Sequence, residues 1–174
     1  MNLSLAYILF FALFHVTNII KTPAQNMSTN ELKKIEIAHM SKDFDISNVE
    51  HISWERANPT VIDSYWNGNK ANNERTFIAK LLYTNKFLYV RFQAIATDEI
   101  VLNSKPDINQ KTIGLWERDV FEIFIAPQPE LTTHYFEFEI APSGEWLDLE
   151  IRIDGSKRLT NWEYKSEMQS YVKF

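Results

Sequence analysis

Trp116, Arg118 and Glu122 stand at positions of one parity in the run Leu115–Ile125, which reads LWERDVFEIFI. On a β-strand, side chains of one parity share a face, so this spacing predicts an indole, a guanidinium and a carboxylate side by side. That mixture suits a polyhydroxylated ligand. An aromatic face meets the C–H face of a sugar ring, and charged groups hydrogen-bond its hydroxyls. Each hydrogen bond to a charged group contributes roughly 1.5–3 kcal/mol, so a few suffice for micromolar binding. Tyr135 and Glu137 in the next alternating run, and Arg91 in an earlier one, are candidate neighbours. The competing reading is a solvated sheet face on which Arg118, Glu122 and Glu137 form cross-strand ion pairs.

Other chemistries have candidates too. A glycosidase needs two carboxyl groups about 5–9.5 Å apart, and Glu122 with Glu137 or Asp148 is the pair to consider. Haem iron would need axial ligands from among His39, His51, His134, Met27, Met40 and Met168, none of which sits in a recognisable motif. For calcium, Asp98, Glu99, Asp107 and Asp119 are oxygen donors near loops, without EF-hand or repeat spacing to organise them. The absence of cysteine excludes disulfides, thiolate metal sites, a lipid anchor on Cys and a Cys nucleophile. Between residues 113 and 150, nine acidic residues face one basic residue, a net of −8 that leaves +3 for the rest of a chain totalling −5. An acidic centre repels phosphate backbones, so nucleic acid is not an expected partner.

The elements that must position these groups are strands. Ile113–Ile153 contains three alternating runs separated by Pro and Gly. Phe121, Ile123 and Ile125 share one face of the first, and Phe136, Phe138 and Ile140 share one face of the second. In the third, Leu147, Leu149, Ile151 and Ile153 are expected inward, with Trp146, Asp148, Glu150 and Arg152 outward. Upstream, Arg75–Ala96 reads as a hairpin turning at Thr84-Asn85-Lys86, where Asn85 is able to take a left-handed conformation. Its second strand alternates Leu88, Val90, Phe92 and Ala94 with Tyr89, Arg91 and Gln93, which predicts one wet face. Trp54 and Trp66 either stack sugars or, the favoured reading, cap the core beneath a long loop ending in the turn Asn67-Gly68-Asn69. With 174 residues, 14% aromatics and many short strands, the fold expected is all-β: a two-sheet antiparallel β-sandwich of jelly-roll or immunoglobulin-like kind.

Residues 3–20 form an apolar run followed by Thr22-Pro23-Ala24, the small-residue pattern of a signal-peptidase site, although no basic residue precedes the run. The expected division is a signal peptide over 1–24, a linker and first strand over 25–50 with the strand near 34–38, and the sandwich domain over 51–174. That implies a secreted, extracellular or periplasmic protein. The alternative is an uncleaved membrane anchor. The Asn26-Met27-Ser28 sequon matters only in a eukaryotic secretory pathway.

The run Leu115–Ile125 resembles the W-x-x-D-x-x-E-x-F signature of family 9 carbohydrate-binding modules. Leu82–Val90 before it, and Tyr135–Gly144 (YFEFEIAPSG) after it, resemble the same family in the same order. The resemblance implies a β-sandwich related to the sugar- and haem-binding DOMON group. It also implies a non-catalytic module for mono-, oligo- or polysaccharide, one often appended to glycoside hydrolases. It assigns ring stacking to Trp116 and hydroxyl recognition to Glu122, and it brings calcium as a structural ion. Family members hold the sugar between two Trp rings. The second ring and the last strands have no evident counterpart here, so the domain is expected to be C-terminally truncated, with Trp162 or Trp146 as substitutes.

Overall fold

The computed structural model describes residues 34–65, 68–72, 75–95, 99–128 and 133–173, and the backbone of a strand at Tyr7–Phe11. The rest of the proposed leader, Met27 and its sequon, Trp66, Asn67 and Asp98 lie outside the described residues.

Among the described residues nine strands make two sheets, and there is no α-helix, only single 3-10 turns. The larger sheet is antiparallel throughout and carries the candidate site. Its order is β1 (Tyr7–Phe11), β6 (Phe121–Ala126), β7 (His134–Ile140), β8 (Trp146–Asp154) and β9 (Lys157–Asn161). The smaller sheet is built on β4 (Phe77–Tyr83). Along β4 run β5 (Leu88–Ala94) and β3 (Thr60–Ile62), both antiparallel, and the two-residue β2 (Ala38–His39), which is parallel. Two sheets without closure into a barrel are a β-sandwich, as the strand count predicts.

The expected hairpin forms, by a different device. Asn85 is not left-handed; Glu167 is the one non-glycine residue with positive φ among the described residues. Instead Thr84 closes the turn. Its amide donates to Phe87 O at 2.9 Å, and its Oγ1 accepts from the amides of Lys86 (3.2 Å) and Phe87 (3.1 Å). A hydroxyl that bonds the backbone ahead of it removes the need for left-handed geometry. Nor is the outer face of β5 wet throughout. Tyr89 is buried with Trp54, Ala57 and Leu82 under a loop carrying Phe44 and Met40, and its hydroxyl donates to Asp43. Trp54 is thus a core residue, as favoured. Gly68 (φ 82°) completes the expected turn after it, donating its amide to Tyr65 O at 2.9 Å.

Between the sheets, Ile123, Ile125 and Phe138 pack on Ala79, Leu81, Val90 and Phe92, and Phe121 stacks on Phe92 at 5.0 Å. The first two apolar faces therefore point inward as predicted. The third does not. Phe138 pairs with Asp148, and Glu139 with Leu147, so Leu147, Leu149 and Ile151 lie on the side of the sheet that carries Glu122, Glu137 and Glu139. A one-residue offset in register exchanges the faces of a whole strand. This side has its own small core, made by Leu115, Val120, Ala141, Leu147, Leu149 and Ile151, with Trp116, Tyr135 and Ile153 packed against it.

Asp148, expected outward, is buried on the opposite side of β8. Lys111 Nζ stands 2.7 Å from its Oδ1, an ion pair off the line of good hydrogen bonding, and Ser166 donates from both N and Oγ to Oδ2 at 2.7 Å. Burial alone raises its pKa, but the Lys111 ammonium and the bonds from Ser166 outweigh that and hold it below the usual carboxylate range. A cavity of about 1210 Å³ remains between the sheets, with Phe77, Val90, Phe92, Ile125, Phe138 and Tyr171 in its wall.

Candidate functional site

Trp116 is not on a strand. Gly114 takes a left-handed conformation (φ 80°) and starts a 3-10 turn, Leu115–Glu117, and the chain enters β6 only at Phe121. Leu115 anchors the turn in the small core, which leaves the Trp116 indole half-buried on the rim of that core. The predicted shared face of Trp116 and Glu122 thus arises through a turn and a strand rather than by parity along one strand. Arg118, also half-buried, follows the turn, and its charge acts on Glu145. Glu145 is a fixed point for this loop. It accepts from Asn103 Nδ2 at 2.9 Å, Ser143 Oγ at 2.9 Å and Thr112 Oγ1 at 3.3 Å. Burial raises its pKa, and those bonds more than reverse the effect.

Trp162, just beyond β9, places its ring centroid 6.3 Å from that of Trp116 at an interplanar angle of 35°, and is 43% exposed. A sugar held between two aromatic faces needs about 3.5–4 Å on each side, roughly 7–8 Å in all. The two indoles are therefore too close to clamp a ring between them and instead make one broadened aromatic surface. Trp146 projects from the other face of β8, where its Nε1 donates to Ile108 O at 3.0 Å, so it cannot join them.

Behind this surface lie the carboxylates. Glu122 and Glu139 are direct cross-strand partners, and Glu137 shares their face one step along β7. The three are 2%, 0% and 6% exposed respectively, and each has a carboxylate oxygen within 4.8 Å of one on both of the others. Arg158 on β9 donates to Glu137 Oε2 at 2.7 Å with its own side chain half in solvent. Glu122 Oε2 and both oxygens of Glu139 have no hydrogen-bond partner. Burial, then the charge of Glu137, pushes the pKa of Glu122 up to about 7, against a smaller opposing pull from Arg158. Glu139 is raised further, by burial first and then by Glu122 and Glu137.

Of the residues predicted for the site, Trp116, Glu122, Tyr135 and Glu137 come to one side of the larger sheet, and Arg118 to its margin. Arg91 does not. It lies on the outer face of the smaller sheet, near Gln93 (3.4 Å) and Glu50 (3.9 Å). Asp148 is on the far face from Glu122, so those two cannot act across one bond. The haem candidates are occupied singly. His51 caps a 3-10 turn by accepting from Ser53 N, His134 pairs with Glu150 at 3.0 Å, and His39 is exposed beside Tyr83. Sequence reasoning did not select Glu139 or Arg158. The alternation Glu137-x-Glu139 places the former, but Arg158 needs the β8–β9 register, which pairs it with Ile153.

A β-sandwich bearing an aromatic surface over a carboxylate-rich sheet face has the architecture of a binding module. Residues 47–170 match the carbohydrate family 9 binding domain-like family, and the chain belongs to it. The family is one of carbohydrate binding rather than catalysis. No curated protein and no solved structure matches the chain.

Proposed function

We propose that this chain is an exported, non-catalytic module that binds mono- or oligosaccharide units through the Trp116–Trp162 surface, in the service of polysaccharide recognition and breakdown. The observation that carries the reading is the half-buried Trp116 indole beside exposed Trp162, on the side of the sheet that holds Glu122, Glu137 and Arg158. The rings supply the apolar contact. Arg158, half in solvent, and Tyr135 offer polar groups on that side of the sheet, and Arg118 follows Trp116 by two residues. Glu122 accepts a hydroxyl only where the side chains above it part, because its carboxylate is buried. Export rests on the apolar run 3–20 and the small residues before Gln25; among the described residues no helix is long and apolar enough to cross a membrane.

The test is calorimetric titration with a panel of mono- and disaccharides on wild type, Trp116→Ala and Trp116→Phe, with circular dichroism to check folding. The expected result is saturable binding that falls at least tenfold, about 1.4 kcal/mol, in Trp116→Ala and is partly kept in Trp116→Phe. Undiminished binding in a folded Trp116→Ala protein overturns the site, and no heat from any sugar overturns the function.

A further inference from the structure

We propose that Glu122, Glu137 and Glu139 hold a hard divalent cation, calcium by the nature of the donors, inside the β6–β7 face. The resemblance noted above brings calcium as a structural ion without assigning its ligands, and the sequence offers carboxylates near loops. Among those loop carboxylates, Asp107 is occupied by Asn109 and Gln110, and Asp119 accepts the Val101 amide at 2.7 Å. Among the described residues no loop group gathers donors. The one cluster of three potential metal ligands among the described residues is the strand triad.

Three features of the triad call for a cation. Like charges placed directly across two strands repel, and burying ionised carboxylates without compensation is costly. A bound cation displaces the protons of Glu122 and Glu139; with all three carboxylates then ionised, Arg158 offsets one negative charge and leaves two, the charge of a divalent ion. Glu139 is fully buried, yet no N–H or hydroxyl donor reaches its oxygens, whose neighbour Glu137 is itself a carboxyl group, and Glu122 Oε2 is equally bare. These orphaned atoms belong to the same carboxylates that converge within 4.8 Å. Calcium binds oxygens at about 2.3–2.6 Å, so two oxygens on one ion lie no more than about 5 Å apart. The triad meets that limit as it stands. Magnesium wants a tighter octahedron and keeps its waters, which a buried three-carboxylate site on adjacent strands does not accommodate. Oxygen-only donors disfavour zinc and copper.

The site does not rest on the carbohydrate reading, although both use Glu122, and it is tested without sugar. Full-length protein is stripped with chelator, then titrated with calcium chloride, and separately with magnesium chloride, by calorimetry and by thermal unfolding. The expected outcome is a saturable one-to-one heat with calcium and a rise in Tm by mass action, with a weaker response to magnesium. Glu139→Gln and Glu122→Gln, which keep shape and remove charge, are expected to lose at least tenfold in calcium affinity and the calcium-dependent rise in Tm. In chelator they should be no less stable than wild type. Glu150→Gln, on the other face of the sheet, should bind calcium normally. Wild type that shows neither heat nor a Tm shift overturns the proposal, and the carboxyl groups then share protons instead. So does a Glu139→Gln protein that binds calcium like wild type, or a Glu150→Gln protein weakened as much as Glu139→Gln.

Discussion

Glu122 and Glu139 face each other across β6 and β7 with no base between them, and that arrangement has a pH signature. Both titrate near 4.5 in an unfolded chain, whereas folding keeps Glu122 protonated up to about 7 and Glu139 higher still. Across that interval the folded chain binds more protons than the unfolded one, so stability falls as pH rises. The full contribution is present below about 4.5 and is lost through about 7 and above. For Glu122 the loss is on the order of 3 kcal/mol. Glu137 and Arg158 are the charged groups that face the pair, and they act in opposite directions. Urea midpoints of metal-free protein should therefore drop between about pH 5 and about pH 8, and Glu139→Gln should flatten the drop. A wild-type midpoint that rises over that range would mean that the pair is solvated. Trp162 makes a separate prediction. Because it extends the Trp116 surface rather than closing over it, Trp162→Ala should weaken disaccharide binding severalfold more than monosaccharide binding in the same titrations.

The strands themselves were largely legible. Phe121–Ile125, Tyr135–Ile140 and Leu147–Ile153 fall inside β6, β7 and β8, because period-two alternation is a property of each run by itself. What alternation cannot give is which face meets which across a turn. The Ala141–Glu145 connection, closed by Ala141 N to Glu145 O and by left-handed Gly144, sets Phe138 against Asp148, and the apolar side of β8 turns away from the inter-sheet core. The same offset makes Asp148 a buried ion whose partner, Lys111, comes from a loop outside the alternating runs. Trp116 was legible as a ligand candidate but not as a turn residue, since Gly114 acts through its backbone rather than through a pattern. The Lys111–Asp148 contact gives the element-scale prediction. Lys111→Met leaves a buried carboxylate without its cation and should cost roughly 3–5 kcal/mol, measured by urea unfolding. Asp148→Asn added to it should recover part of that loss. A neutral single mutant would show that Ser166 alone satisfies Asp148.

At the scale of the whole molecule, one segment has two roles that exclude each other. Tyr7–Phe11 lies within the proposed leader, and it is also the strand that covers the outer edge of β6, from Tyr7 opposite Ala126 to Phe11 opposite Glu122. If the leader is removed on export, β6 becomes an edge strand, its row of backbone donors and acceptors open along the apolar sequence Phe121–Ala126. β6 carries no lysine or proline to blunt that edge, and such an edge pairs readily with another chain. A protein beginning at Gln25 is therefore expected to self-associate with rising concentration, whereas the full chain stays monomeric. Sedimentation or light scattering distinguishes the two. Phe124→Lys, at the mid-edge position opposite Leu9, should reverse the association. If the shortened protein is instead monomeric at every concentration and as stable as the full chain, β1 contributes nothing to the sandwich and the β6 edge is protected by other means.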